Sequence, residues 1–103
     1  AWIAAMNAAF GDATALMCPT VPVVAPPLAS ITDDAEYTRL NLLMLRNPSI
    51  INFWDGCAIS LPCHRADLGE LPVGLMLAAP GGHDDALLGL AQAVEQALRD
   101  TAS

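Results

Sequence analysis

The adjacent pair Cys63-His64 invites a chemical reading, because a thiol beside an imidazole can form an activated nucleophile or two metal ligands. Neighbours on an extended strand point to opposite faces, so the two cannot share a site in that conformation. Cys57 and Cys63 lack the C-x-x-C spacing of a zinc site, and the other donors of the right type are His83, Asp84 and Asp85. These read as the turn before a helix, and no metal site is expected. No serine has glycines two before and two after it, as a nucleophile elbow needs. Ser60, between Ile59 and Leu61, is expected to be buried with its hydroxyl bonded to backbone. Gly81-Gly82 precedes a helix, where a phosphate could dock, but Asp84 and Asp85 would repel it. The pairs Asp33-Asp34 and Asp84-Asp85 are explained as helix starts. On these readings the chain is expected to supply no catalytic residue and to hold no cofactor.

The elements that would position these residues follow from pattern and punctuation. Trp2, Ile3, Met6, Ala9 and Phe10 recur at helical spacing, so residues 1–10 read as a short amphipathic helix ended by Gly11-Asp12. Thr14 to Cys18 is a continuous apolar run closed by Pro19, the pattern of a strand buried on both faces. A loop rich in proline follows, from Pro19 through Pro22 to Pro26-Pro27. Asp33 and Glu36 mark the start of a helix that should run to about Arg46 and bury Tyr37, Leu40, Leu43 and Met44. Asn47-Pro48 should stop it, with Ser49 to Trp54 adding a further turn or two. Cys57–Pro62 and Val73–Ala78 read as two more buried strands, joined by a polar connection over the surface. After the turn Pro80-Gly81-Gly82, a helix from Asp84 or Asp85 to about Arg99 places Leu87, Leu90, Ala91, Val94 and Leu98 on one face. The order helix, strand, helix, strand, strand, helix is α/β.

At 103 residues the chain has room for one domain, read as a single segment over 1–103. Its composition suits a larger fold better. Hydrophobic residues reach 54% and charged residues only 15%, with a mean hydropathy of +0.45, although a small domain has much surface to keep in water. Three strands and three helices cannot cover both faces of such a sheet. Either the rest of a larger fold or self-association must cover the excess. The apolar stretches are too short to span a bilayer, which excludes a membrane anchor within them. A net charge of −7 argues against a nucleic-acid partner. Cys18, Cys57 and Cys63 are an odd number in apolar surroundings, as expected for free thiols in the cytoplasm.

Three segments, in order, resemble the C-terminal part of amidase-signature enzymes, a family related to allophanate hydrolase and to the A subunit of the amidotransferase. Leu16 to Pro22, with Ala25-Pro26 after it, is similar to the family's strand ending in a Pro-Thr-x-Pro loop. Asn52 followed by Ala58-Ile59-Ser60-Leu61-Pro62 resembles its Asn-x-x-Gly-x-Pro-Ala-x-Ser-x-Pro stretch. Leu71 to Leu77 resembles its Pro-Val-Gly-Leu-Gln segment, and a final helix carrying Glu95 follows. The departures are Asp55-Gly56-Cys57 in place of Gly-x-Pro, Met76 in place of glutamine, and Pro48 where many members carry threonine.

The resemblance implies an α/β/α sandwich with a mixed sheet. It also implies cleavage of carboxylic amides by a serine nucleophile, a second serine in a cis peptide and a lysine. Those residues would lie N-terminal to this segment, so this chain alone would be inactive. Its share would be structural support and part of the wall around a small-molecule amide, formed by Thr20, Pro22, Asn52, Phe53 and Trp54. The alternative is a stand-alone, non-catalytic α/β module that associates with itself.

Overall fold

A computed structural model describes residues 1–102. Helix α1, Trp2–Phe10, leads into strand β1, Leu16–Pro19; a single 3-10 turn, Leu28–Ser30, follows the proline-rich loop. Helix α2, Asp34–Trp54, precedes strand β2, Cys57–Pro62. A second 3-10 turn, Ala66–Leu68, leads to strand β3, Gly74–Ala79, and helix α3, Asp84–Ala102. The α/β order read from the sequence holds.

The spatial order of the sheet is β1-β3-β2, with both pairings antiparallel. A mixed sheet would need parallel pairings, and none occurs among the described residues. The central strand β3 divides its side chains between two cores. Leu77 and Ala79 meet Leu61 of β2 and Leu87 and Ala91 of α3. Met76 and Ala78 point the other way, to Ile51 and Trp54 of α2, with Met6 and Phe10 of α1 packed alongside. The sheet therefore lies between two helical layers. Each large apolar side chain buried in this way is worth about 1.5–3 kcal/mol.

The two layers are offset. The α3 layer covers β2 and β3 through Ile59 and Leu61, but Met17 of β1, opposite Leu77 on that face, is 64% exposed. The α1–α2 layer covers β1 and β3, but Ala58 and Ser60 of β2, opposite Ala78 and Met76, are exposed. Only β3 is thus buried on both faces; β1, expected to be so, is largely exposed. Its missing cover is the reason, since the apolar run itself is present.

Helix α2 departs most from expectation. It runs without a break through Pro48 to Trp54. A mid-helix proline removes one backbone hydrogen bond and crowds the carbonyl four residues earlier. That cost is outweighed by Ile51 and Trp54, 4% and 1% exposed, which are buried only if the helix continues. The start is as expected: Asp33 Oδ1 accepts from the Glu36 backbone N–H at 2.7 Å. The Glu36 side chain does not reach back, and pairs instead with Arg39 at 2.7 Å. Tyr37, expected in the core, is exposed, while Leu40 is buried and Leu43 and Met44 are half-buried. In α3, Leu87 and Ala91 are buried and Leu90, Val94 and Leu98 half-buried, as the helical pattern predicts.

Candidate functional site

The end of β1 and the loop after it are pinned from three sides. The Thr20 backbone N–H donates to the Gly74 carbonyl at 2.9 Å, extending the β1–β3 ladder by one residue. Asn47 of α2 donates through its side chain to the Pro19 carbonyl at 2.8 Å. Thr20 Oγ1 and Ser60 Oγ lie 2.5 Å apart, joining β1 to β2 across the central strand. Gly74 makes this possible, because a Cβ there would collide with both hydroxyl oxygens. Any side chain at position 74 would hold β1 and β2 apart on this face.

Ser60 is therefore not the buried, backbone-bonded hydroxyl expected from its apolar neighbours. It is exposed and bonds to a side chain, because its face of β2 is the one that the helices leave bare. The bridge with Thr20 was not visible in the sequence, where the two are forty positions apart. Neither was the role of Asn47, whose place before a proline suggested a helix stop. The hydroxyl pair can accept from or donate to one further polar group.

The five residues proposed for a pocket wall do not converge. Thr20 sits level with the start of β3, with Pro22 half-buried in the loop beyond it. Asn52 and Phe53 lie exposed on the last turn of α2, Phe53 at 73%. Trp54 packs near the end of β3, beside Ala78. At about 3.3 Å per strand residue, the two groups are separated by roughly the length of the strand. Trp54 is a core residue. Its ring lies 5.5 Å from that of Phe10, and its Nε1–H donates to Asn7 Oδ1 at 2.8 Å. An indole buried this fully needs a partner for its N–H, and Asn7 provides it.

The remaining chemical residues are held in structural contacts. His64 Nδ1 accepts from the Val73 N–H at 3.3 Å, while the Cys63 thiol faces the Val73 carbonyl at 3.6 Å. His83 Nδ1 is 3.1 Å from the Pro80 carbonyl. A cleft of about 490 Å³ lies beside Cys63, His64 and Arg65, bounded by Glu95 and Arg99 of α3. Arg65 is tied to Asp67 at 2.7 Å and Arg99 to Glu95 at 3.3 Å. Burial raises the thiol pKa of Cys18, and burial with the nearby charge of Asp84 raises that of Cys57, which keeps both protonated and unreactive near neutrality. Among the described residues no three His, Cys, Asp or Glu side chains gather as a metal site requires.

Comparison with known proteins decides the family. The amidase family model matches residues 1–88. The chain belongs to the amidase family. The chain is 36% identical over 86 residues to 2-amino-5-chloromuconic acid deaminase of Comamonas testosteroni, covering 84% of this chain and 18% of that protein. It is 40% identical over 90 residues to the A subunit of glutamyl-tRNA(Gln) amidotransferase from Salinispora arenicola, covering 87% and 17%. The corresponding protein of Thermobifida fusca is 37% identical over 94 residues, covering 91% and 18%. The chain thus spans less than a fifth of these amidase relatives. No solved structure matches it significantly. Among the described residues, no helix is long and apolar enough to cross a membrane.

Asp55 acquires a meaning in this family context. It stands where the resemblance to the amidase pattern puts glycine, and its φ of 60° and ψ of 37° are left-handed. The Gly56 N–H reaches back to the Ile51 carbonyl at 3.2 Å and the Asp55 N–H to that of Asn52 at 3.1 Å, a Schellman ending. The turn survives the replacement because aspartate tolerates this conformation better than most residues.

Proposed function

We propose that this chain is the C-terminal portion of an amidase that hydrolyses carboxylic amide C–N bonds. In this reading a serine nucleophile, a serine in a cis peptide and a lysine lie N-terminal to it. The chain supplies sheet, covering helices and part of the substrate wall, and works in the cytoplasm. The observation that carries the reading is the family match over residues 1–88 in a chain that has no lysine. The half-covered strands β1 and β2 support it, since each presents one face suited to further protein.

Within the wall, Thr20 is the best-supported residue, because its hydroxyl lies on a bare sheet face, locked to Ser60. Pro22, Asn52 and Phe53 keep their proposed place as surface that a larger fold would complete. Trp54 acts from behind, holding the last turn of α2 against β3. The substrate is a small-molecule amide.

The test is an assay of aryl and aliphatic amide hydrolysis, run on this chain and on the longer gene product side by side. Turnover by the longer protein alone is the expected result. Turnover by the 103-residue chain alone would overturn the proposal, since it has no lysine to act as base.

A further inference from the structure

Sulfur gathers on the sheet face that meets α1 and α2. Cys18 of β1 and Met76 of β3 are Cα partners in the antiparallel ladder. Their side chains therefore leave the same face, with Cβ atoms about 4.5–5.5 Å apart. Met6 of α1 packs on the same core from the helical layer. The three sulfur residues border one cavity of about 260 Å³, together with Ile50, Ile51 and Asn47. Met17 also borders it, but its side chain leaves the opposite face of the sheet. Asn47 brings the only side-chain oxygen and nitrogen to this wall, and both are engaged elsewhere. Its amide donates to the Pro19 carbonyl at 2.8 Å, and its oxygen accepts from Arg46 at 3.2 Å. The donors left to the cavity are sulfur. We propose that Cys18, Met76 and Met6 form a binding site for one cuprous ion.

Thiolate and thioether are soft donors, which suit Cu(I) and not the oxygen-seeking Mg²⁺ or Ca²⁺. Charge separates Cu(I) from Zn²⁺. The thiolate carries one negative charge and the thioethers none, so a monovalent ion leaves the loaded site neutral. A divalent ion would bury a net positive charge beside Ile50 and Ile51, with no carboxylate on the wall to offset it. On binding, the S–H bond of Cys18 breaks, a sulfur–copper bond forms and the proton passes to water. The ion enters and stays as Cu(I), so no oxidant or reductant takes part. Burial favours the protonated thiol of Cys18, and uptake should therefore weaken as pH falls. Cys18 and Met6 are half-buried, which leaves the ion a way in. The unbranched methionine side chains can turn their sulfurs toward it without moving the backbone. Cys57 and Cys63 face backbone carbonyls instead.

This site does not depend on amide hydrolysis. The experiment titrates the reduced longer gene product with Cu(I) in the absence of oxygen, against a chromogenic Cu(I) chelator, with Zn(II) in parallel. Cys18→Ser should lose one equivalent of the copper that the parent retains. Met76→Leu and Met6→Leu should give it up at a lower chelator concentration, and both should stay folded, because leucine nearly conserves the volume of methionine. Replacing Cys57 and Cys63 together by serine should leave that equivalent in place. Equal copper content in the parent and Cys18→Ser would overturn the proposal. So would unchanged retention in both methionine variants, since the thiol alone would then be holding the ion. Zn(II) held as tightly as Cu(I) by the same residues would overturn it too.

Discussion

At the scale of single residues, backbone geometry carries more information here than chemical groups do. Cys63, His64 and His83 drew notice by type, yet each is engaged with a backbone group. Asp55 drew notice only as a departure from a family pattern, and it is the one non-glycine residue with positive φ among those described. Asp55→Gly should leave the fold intact and stabilise it by up to about 1 kcal/mol, by removing the left-handed penalty. Asp55→Val should cost about 1–2 kcal/mol, since a β-branched side chain resists that conformation. Urea denaturation of the two variants beside the parent decides this, and equal midpoints would show that the turn stores no such strain. The Thr20–Ser60 bridge was illegible in sequence for a different reason. Its two hydroxyls are brought together by strand order and by a glycine on the strand between them.

At the scale of elements, the sequence was most readable where local signals and packing agree. The Asp33 cap, the apolar face of α3 and the strand Cys57–Pro62 all stand where pattern placed them. It misled where the two conflict. Asn47-Pro48 is a sound stop signal by local sterics, but Ile51 and Trp54 hold the next two turns against the sheet. Pro48→Ala should restore a donor for the Met44 carbonyl and stabilise the fold by about 1–3 kcal/mol. Denaturant midpoints would check it, and a loss of stability would mean that the proline ring itself is packed to advantage. Tyr37 illustrates the reverse error. It fits the helical period but lies one turn before the sheet-facing contacts begin at Leu40.

At the scale of the whole molecule, composition foretold what the structure displays. A chain that is 54% hydrophobic and 15% charged cannot hide its apolar surface in 103 residues, and it does not. The radius of gyration is 15.8 Å, against about 13 Å for a compact domain of this length. The α/β order was legible, but the offset of the two helical layers was not, because it depends on which strand sits in the middle. That offset predicts uneven protection in hydrogen exchange. Amides of β3, paired on both sides, should exchange slowest, and outward-facing amides of β1 and β2 should exchange orders of magnitude faster. Uniform protection across the three strands would indicate that the outer edges are paired in solution.

The strand order also sets a timetable. β1 and β2 never pair with each other, and both pair with β3, so Cys18 must wait for Met76. During synthesis two sticky strands are made before the one that joins them exists, and this three-stranded arrangement cannot close until residue 74 and its successors leave the ribosome. A nascent chain stalled anywhere short of that point would hold two strands open to foreign partners, the kind of exposed surface that promotes aggregation.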